Sequence, residues 1–142
     1  MLGWLTKRAR TQSVAHDAKD QAPGRETILI CDDDHGVREA YKLILSDHYQ
    51  LKLVATGDEA LKLLKRQPIK AMILDLKMPE LDGLEVLRRV RRVSPSTNVI
   101  ISTGYRSVET AQEAARMGCH NYLIKPFNPQ DVLAAVSRAL NG

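Results

Sequence analysis

The sequence predicts an α/β domain, a doubly wound five-stranded parallel sheet with helices on both faces, and three observations carry that prediction. From Thr27 onward, short apolar runs alternate five times with segments of helical period. Each return connection is long enough for the crossover helix that parallel strands require, and such crossovers are right-handed. The residues that close the strands are acids, a hydroxyl and an ammonium, and in a parallel sheet they share the rim where ligands of open α/β sheets bind.

The remaining composition fits one domain. A chain of 142 residues, 44% hydrophobic and 27% charged, has the length for a single core. No apolar run approaches the roughly 20 residues that cross a bilayer, and the first residues lack the apolar centre of a secretory signal. The expected location is therefore cytoplasmic. Cys31 and Cys119 have neither metal-ligand spacing nor a disulfide framework, so both are expected to be reduced and structural. The net charge of +4 is not gathered into a block with interleaved aromatics, which argues against direct nucleic-acid binding. Arg88, Arg89, Arg91 and Arg92 cluster on one helix, as a solvated face or as a surface for an acidic partner.

Residues 1–26 show no sustained period and end near Ala22-Pro23-Gly24, so they read as a flexible leader before a domain spanning 27–142. Its Met1, Leu2, Trp4 and Leu5, followed by Lys7, Arg8 and Arg10, suffice for a weak interfacial or partner-binding peptide. Ile28 to Cys31 is the first strand, and Val37, Ala40, Tyr41, Ile44 and Leu45 mark the first helix. Gln50 to Val54 alternates as an edge strand does. Asp58 is the expected cap of a second helix that points Leu61 and Leu64 inward and stops at Pro68. Ala71 to Asp75 is a continuous apolar run, hence the central strand. Asp82-Gly83 opens a third helix with Leu84, Leu87 and Val90 on its stripe, ended by Ser94-Pro95. Asn98 to Ser102 is the fourth strand. A fourth helix with Val108, Ala111 and Ala115 inward closes at Gly118, a left-handed cap. Tyr122 to Ile124 is the fifth strand. Asn128 caps the last helix, with Pro129 at its first position and Val132, Ala135, Val136, Ala139 and Leu140 inward.

The shared rim then holds Asp32-Asp33-Asp34, Asp75, Thr103-Gly104 and Lys125-Pro126. Taken alone, Asp75 can open a turn or cap a helix. Capping explains one acid of residues 32–34 but not three. Two carboxylates about 4 Å apart repel by roughly 4 kcal/mol at an effective dielectric near 20, so the cluster calls for a cation. Hard oxygen ligands at an open rim favour Mg²⁺ over zinc.

These pieces together resemble the receiver domain of two-component response regulators. The matching segments are Ile-Leu-Ile-Cys-Asp-Asp-Asp at 28–34, Met-Ile-Leu-Asp-Leu-Lys-Met-Pro at 72–79 with Leu-Asp-Gly after it, Ile-Ser-Thr-Gly-Tyr at 101–105 and Tyr-Leu-Ile-Lys-Pro-Phe at 122–127. The resemblance implies a flavodoxin-like strand order, 2-1-3-4-5. It also implies that Asp75 accepts a phosphoryl group from a phosphohistidine of a sensor histidine kinase or phosphotransfer protein. Asp33, Asp75 and the Lys77 main-chain carbonyl would ligate Mg²⁺, with Asp32 holding a coordinated water. Lys125, Thr103 and Gly104 would bind the phosphoryl oxygens, and Thr103 with Tyr122 would form the switch. Lys77 and Tyr105 would hinder the hydrolytic water and slow dephosphorylation. Lys125–Pro126 would be cis, and a downstream target or second copy would dock on the fourth helix, fifth strand and fifth helix. By this reading the chain is not an enzyme. Two alternatives stand beside it: the receiver portion of a DNA-binding transcriptional regulator, and a phosphatase of the haloacid dehalogenase type with Asp32 as nucleophile and Asp34 as acid.

Overall fold

A computed structural model of the chain describes residues 25–77, 82–104, 108–119 and 121–141. Strands β1 (Thr27–Cys31), β2 (Gln50–Val54), β3 (Ala71–Asp75), β4 (Asn98–Thr103) and β5 (Asn121–Ile124) form one parallel sheet in the order β2-β1-β3-β4-β5. Helices α1 (His35–Leu45), α2 (Gly57–Arg66), α3 (Gly83–Val93), α4 (Val108–Arg116) and α5 (Pro129–Asn141) follow the strands in turn. Both the fold class and the strand order are those expected.

Every residue of β3 is buried, because helices cover both of its faces. Met72 and Leu74 join Leu29, Cys31 and Ile101 in a core with α2 and α3, whereas Ala71 and Ile73 join Ile28, Ile30 and Ile100 in a core with α1 and α5. A continuous apolar run is thus two alternating sets serving two layers. At the margin, β2 keeps Lys52 exposed while Leu51 and Leu53 pack inward.

Register decides what meets at the rim. Cys31 lies beside Leu74, so Asp32 and Asp75 come level. Asp75 lies beside Ser102 and Thr103 beside Ile124, which brings Thr103 and then Lys125 to the same edge. Because the strand order reverses between β1 and β3, a crevice opens there.

Several local expectations need correction. The cap of α2 is Thr56, not Asp58: the Thr56 hydroxyl accepts from Glu59 N–H, and the Glu59 carboxylate accepts from Ala55 N–H. That reciprocal pair satisfies two free amides, and Asp58 sits in the first turn beside the dipole. In α3 the buried stripe is Val86, Leu87 and Val90, with Leu84 only half-buried. In α4 Ala114 is buried and Ala115 exposed, one position away from the expected stripe. Arg91 is no solvated cation, since its guanidinium donates to the carbonyls of Met117 and Thr97. Glu26, placed in the leader, already accepts from Gln50 N–H and extends the β1–β2 ladder.

Other expectations hold. Gly118 has φ +84°, and the Asn128 side chain caps α5 by accepting from Asp131 N–H at 2.8 Å. Both cysteines are free and buried. No described helix is long and apolar enough to cross a membrane. Residues 1–24, Met78, Pro79, Leu81 and Tyr105, like the side chains of Val108 and Ala111, lie outside the described residues.

Candidate functional site

Three carboxylates converge at the C-terminal ends of β1 and β3. Asp32, Asp33 and Asp75 each present an oxygen within 4.8 Å of the others. Asp32 and Asp75 are 1% and 4% exposed, whereas Asp33 faces water. Such a hard, all-oxygen set with one side open suits a divalent cation such as Mg²⁺, and nothing in it offers the nitrogen or sulfur that zinc prefers.

Each acid is held by short local contacts. Asp32 Oδ1 accepts from Asp34 N–H at 3.0 Å, and its main-chain carbonyl accepts from the Arg38 guanidinium at 2.8 Å. Asp75 Oδ1 accepts from Lys77 N–H at 3.0 Å. Asp34 spends its own Oδ1 on Val37 N–H as the cap of α1. One of the three consecutive acids is therefore the capping residue, and the other two face the crevice.

Lys125 arrives from the end of β5, which its own amide fixes by donating to the Thr103 carbonyl at 3.1 Å. Its ammonium lies 2.8 Å from Asp32 Oδ2 and 3.4 Å from Asp75 Oδ2. Burial alone would lower the lysine pKa, but its contacts with Asp32 and Asp75 outweigh that and hold the ammonium above its ordinary value. At Asp75 burial pushes the carboxyl upward and the Asp32 charge adds to it, against the opposing Lys77 N–H and Lys125. Burial, with Asp32 and Asp75 nearby, also pushes the Cys31 thiol up to about 12, so a buried neutral thiol backs the site.

Thr103 is buried and Gly104 exposed, and a Cβ placed on Gly104 would stand 3.9 Å from Lys125 Cβ. The Lys125–Pro126 bond is cis. Tyr122 packs against the α2–α3 core, and its buried hydroxyl has no hydrogen-bond partner among the described residues. Lys77 is exposed at the rim. Of the predicted site residues, the structure gathers Asp32, Asp33, Asp75 and Lys125 at one point, with Thr103 and Gly104 on the adjoining strand end.

Three supporting residues were missed. The Arg38 guanidinium reaches the Asp32 carbonyl, a contact that no local sequence pattern reveals. Tyr41, on the apolar stripe of the first helix, is buried in the core, and its hydroxyl also hydrogen-bonds Ser102 Oγ at 2.6 Å while its ring stacks on Phe127 at 4.9 Å, behind the acid cluster. Gly83, expected to open the third helix, also meets the strand exit: its N–H donates to Leu76 O at 3.2 Å, and a Cβ there would fall 2.4 Å from Leu76 Cα. An Asp-Gly pair at a helix start was the available signal.

Comparisons with known proteins agree with this geometry. Residues 28–137 match the family described as response regulator receiver domain. An NtrX-like response regulator of Rickettsia bellii is 37% identical over 79% of this chain, which spans 24% of that relative's length. Sporulation initiation phosphotransferase F of Bacillus subtilis is 32% identical, covering 81% of this chain and 94% of its own. The crystal structure of a CheY-like receiver domain protein from Methanospirillum hungatei superposes with TM-score 0.79 at 30% identity, over 83% of this chain and 95% of that one.

Proposed function

The chain belongs to the response regulator receiver domain family of two-component systems, and from that premise we propose that Asp75 accepts a phosphoryl group from the phosphohistidine of a sensor kinase or phosphotransfer protein. The observation that carries the proposal is a nearly buried carboxylate at 4% exposure, flanked by two further acids within 4.8 Å and by the Lys125 ammonium at 3.4 Å.

An Asp75 oxygen attacks phosphorus as the P–N bond to the donor imidazole breaks, and the imidazole retains the electron pair and takes up a proton. The product is an acyl phosphate on Asp75. Asp32, Asp33, Asp75 and the Lys77 carbonyl would hold Mg²⁺, whose charge would offset the repulsion between an anionic nucleophile and an anionic phosphoryl group. Lys125 exchanges part of its pairing with Asp32 and Asp75 for the new phosphoryl oxygens, to which the Thr103 hydroxyl and Gly104 N–H also donate. Movement of Thr103 toward the phosphoryl group then shifts Tyr122 and the α4-β5-α5 face to a second arrangement, which a downstream protein or a second copy reads.

The donor reaches the acceptor across a cavity of about 540 Å³ beside the cluster, where Asp34, Gly36 and Ala40 of the α1 side face Lys125, Pro126 and Phe127. By this reading the chain is a phosphoacceptor rather than a turnover enzyme, with Lys77 and Tyr105 slowing loss of the phosphoryl group. It acts through protein contacts rather than by binding nucleic acid. The phosphatase reading finds no support, because Asp34, its intended acid, is engaged as a helix cap.

Incubation with acetyl phosphate or a phosphorylated histidine kinase, followed by intact mass measurement, tests the proposal. One phosphoryl adduct is expected, lost in Asp75→Asn and on chelation of Mg²⁺. An adduct that persists in Asp75→Asn would reject Asp75 as acceptor.

A further inference from the structure

The basic excess of the domain is concentrated on one face. Helices α2 and α3 together carry seven Lys and Arg against three Asp and Glu, while the rest of residues 25–142 carries ten against twelve. Part of this follows from the helix dipole, which favours Lys65, Arg66, Arg91 and Arg92 in last turns. The dipole does not explain why the cations of both helices border one groove. A groove of about 280 Å³ runs between the two helices, bordered by Lys62 and Lys65 on one side and Arg89 and Arg92 on the other. Leu61 and Val93 line its floor, and Asp58 lies at its margin.

The charges there are poorly neutralised. Arg88 and Arg89 share the single carboxylate of Glu85, at 3.0 and 3.2 Å. Lys62, Lys65, Arg66 and Arg92 form no ion pair with any described residue. Four cations facing one another across a narrow apolar floor repel, and a carboxylate-bearing ligand with apolar side chains removes that repulsion while covering the floor. Two other anionic partners fit less well. A membrane surface needs apolar anchors beside the cations, yet the exposed large apolar side chain among the described residues is Leu43, on α1 across the sheet. A nucleic acid needs a longer basic stripe or aromatic stacking platforms, and no aromatic residue lies on α2 or α3.

We propose that the α2–α3 groove is a docking surface for an acidic, partly apolar peptide segment of a partner protein, separate from the phosphoacceptor site and from the α4-β5-α5 face. A matching segment is an amphipathic helix that sets Leu on the floor and Glu against Lys62, Lys65, Arg89 and Arg92.

The test is fluorescence anisotropy of a labelled amphipathic peptide of Leu, Ala and Glu titrated with the full chain. Saturable binding that weakens with salt is expected. The triple reversal Lys62→Glu, Lys65→Glu, Arg92→Glu should raise Kd by at least about tenfold. The reversal Lys52→Glu, Arg116→Glu, Arg138→Glu changes net charge equally at exposed sites elsewhere and should raise Kd by less than about threefold. Phosphoryl uptake from acetyl phosphate reports that both triples are folded. Amide chemical shifts of the wild-type chain give a second reading independent of any variant, with perturbations expected in α2 and α3. Equal losses in the two triples, no saturable binding, shifts spread over the whole surface, or displacement of the peptide by anionic vesicles or duplex DNA more effectively than by unlabelled peptide would each overturn the proposal.

Discussion

The two helices flanking β5 are fastened to the sheet in unlike ways. Helix α5 buries Val132, Ala135, Val136 and Ala139, has its first turn capped by Asn128, and receives a bond from the Asn98 side chain at the Ala139 carbonyl, 2.6 Å away. Helix α4 is shorter, and among its described side chains Ala114 is the buried one. The two inward tyrosines divide likewise. Tyr41, on the α5 side, has a hydroxyl partner and a stacked ring, whereas Tyr122, on the α4 side, has a hydroxyl with no partner among the described residues. Among the described side chains, α5 is therefore anchored to the sheet at more points than α4.

The contrast is broken most directly by truncation. Val136→Ala should lower unfolding free energy in urea by about 2–3 kcal/mol through lost burial and a residual cavity. Ala114→Gly, which removes one methyl and a helix former, should cost about 1–2 kcal/mol. Equal losses would show that α4 is held as firmly as α5. Next in size, Tyr41→Phe should destabilise by about 1–2 kcal/mol, because Ser102 Oγ keeps its buried position without its partner. The same exchange at Tyr122 should be neutral or stabilise by up to about 1 kcal/mol, since a buried hydroxyl with no compensating bond disappears. A clear loss of stability at Tyr122→Phe would refute the asymmetry between the tyrosines.

The smallest expected effect concerns pH. Cys119 sits beyond the end of α4, donates to the Val99 carbonyl at 3.0 Å, and has its thiol pushed upward chiefly by burial. A folded value above the unfolded one means that the thiol's contribution to stability is complete below about pH 8.5 and is lost as pH rises beyond it. Thermal melts of the wild type should therefore decline more steeply above that pH than those of Cys119→Ala. Parallel pH profiles would place the thiol in a wetter environment than the structure shows.

The strands and their rim were legible because their signals are dense. Short apolar runs bounded by turn signals and alternating with helical segments mark the strands, and a parallel sheet puts their exits on one edge, so Asp32, Asp75, Thr103 and Lys125 could be grouped from the sequence. Contacts made by long or small side chains were not legible. Arg91 and Arg92 are neighbours of the same type, yet one reaches two carbonyls and the other faces water, because their directions differ by about 100° around the helix. Ala114 and Ala115 are equally silent in an alanine-rich helix, where hydrophobic period barely separates adjacent positions. Thr56 was passed over for Asp58 because both residue types cap helices, and the reciprocal Glu59 bond decides between them.

Gly83 carries a mechanical consequence. Where α3 starts, backbone rests on backbone at Leu76, immediately after Asp75, with no side chain in between to yield. Close-packed contacts of this kind transmit displacement instead of absorbing it. A methyl at Gly83 would have to push the Leu76 main chain aside, so the bare α-carbon sets how near the start of α3 can lie to the strand that carries Asp75.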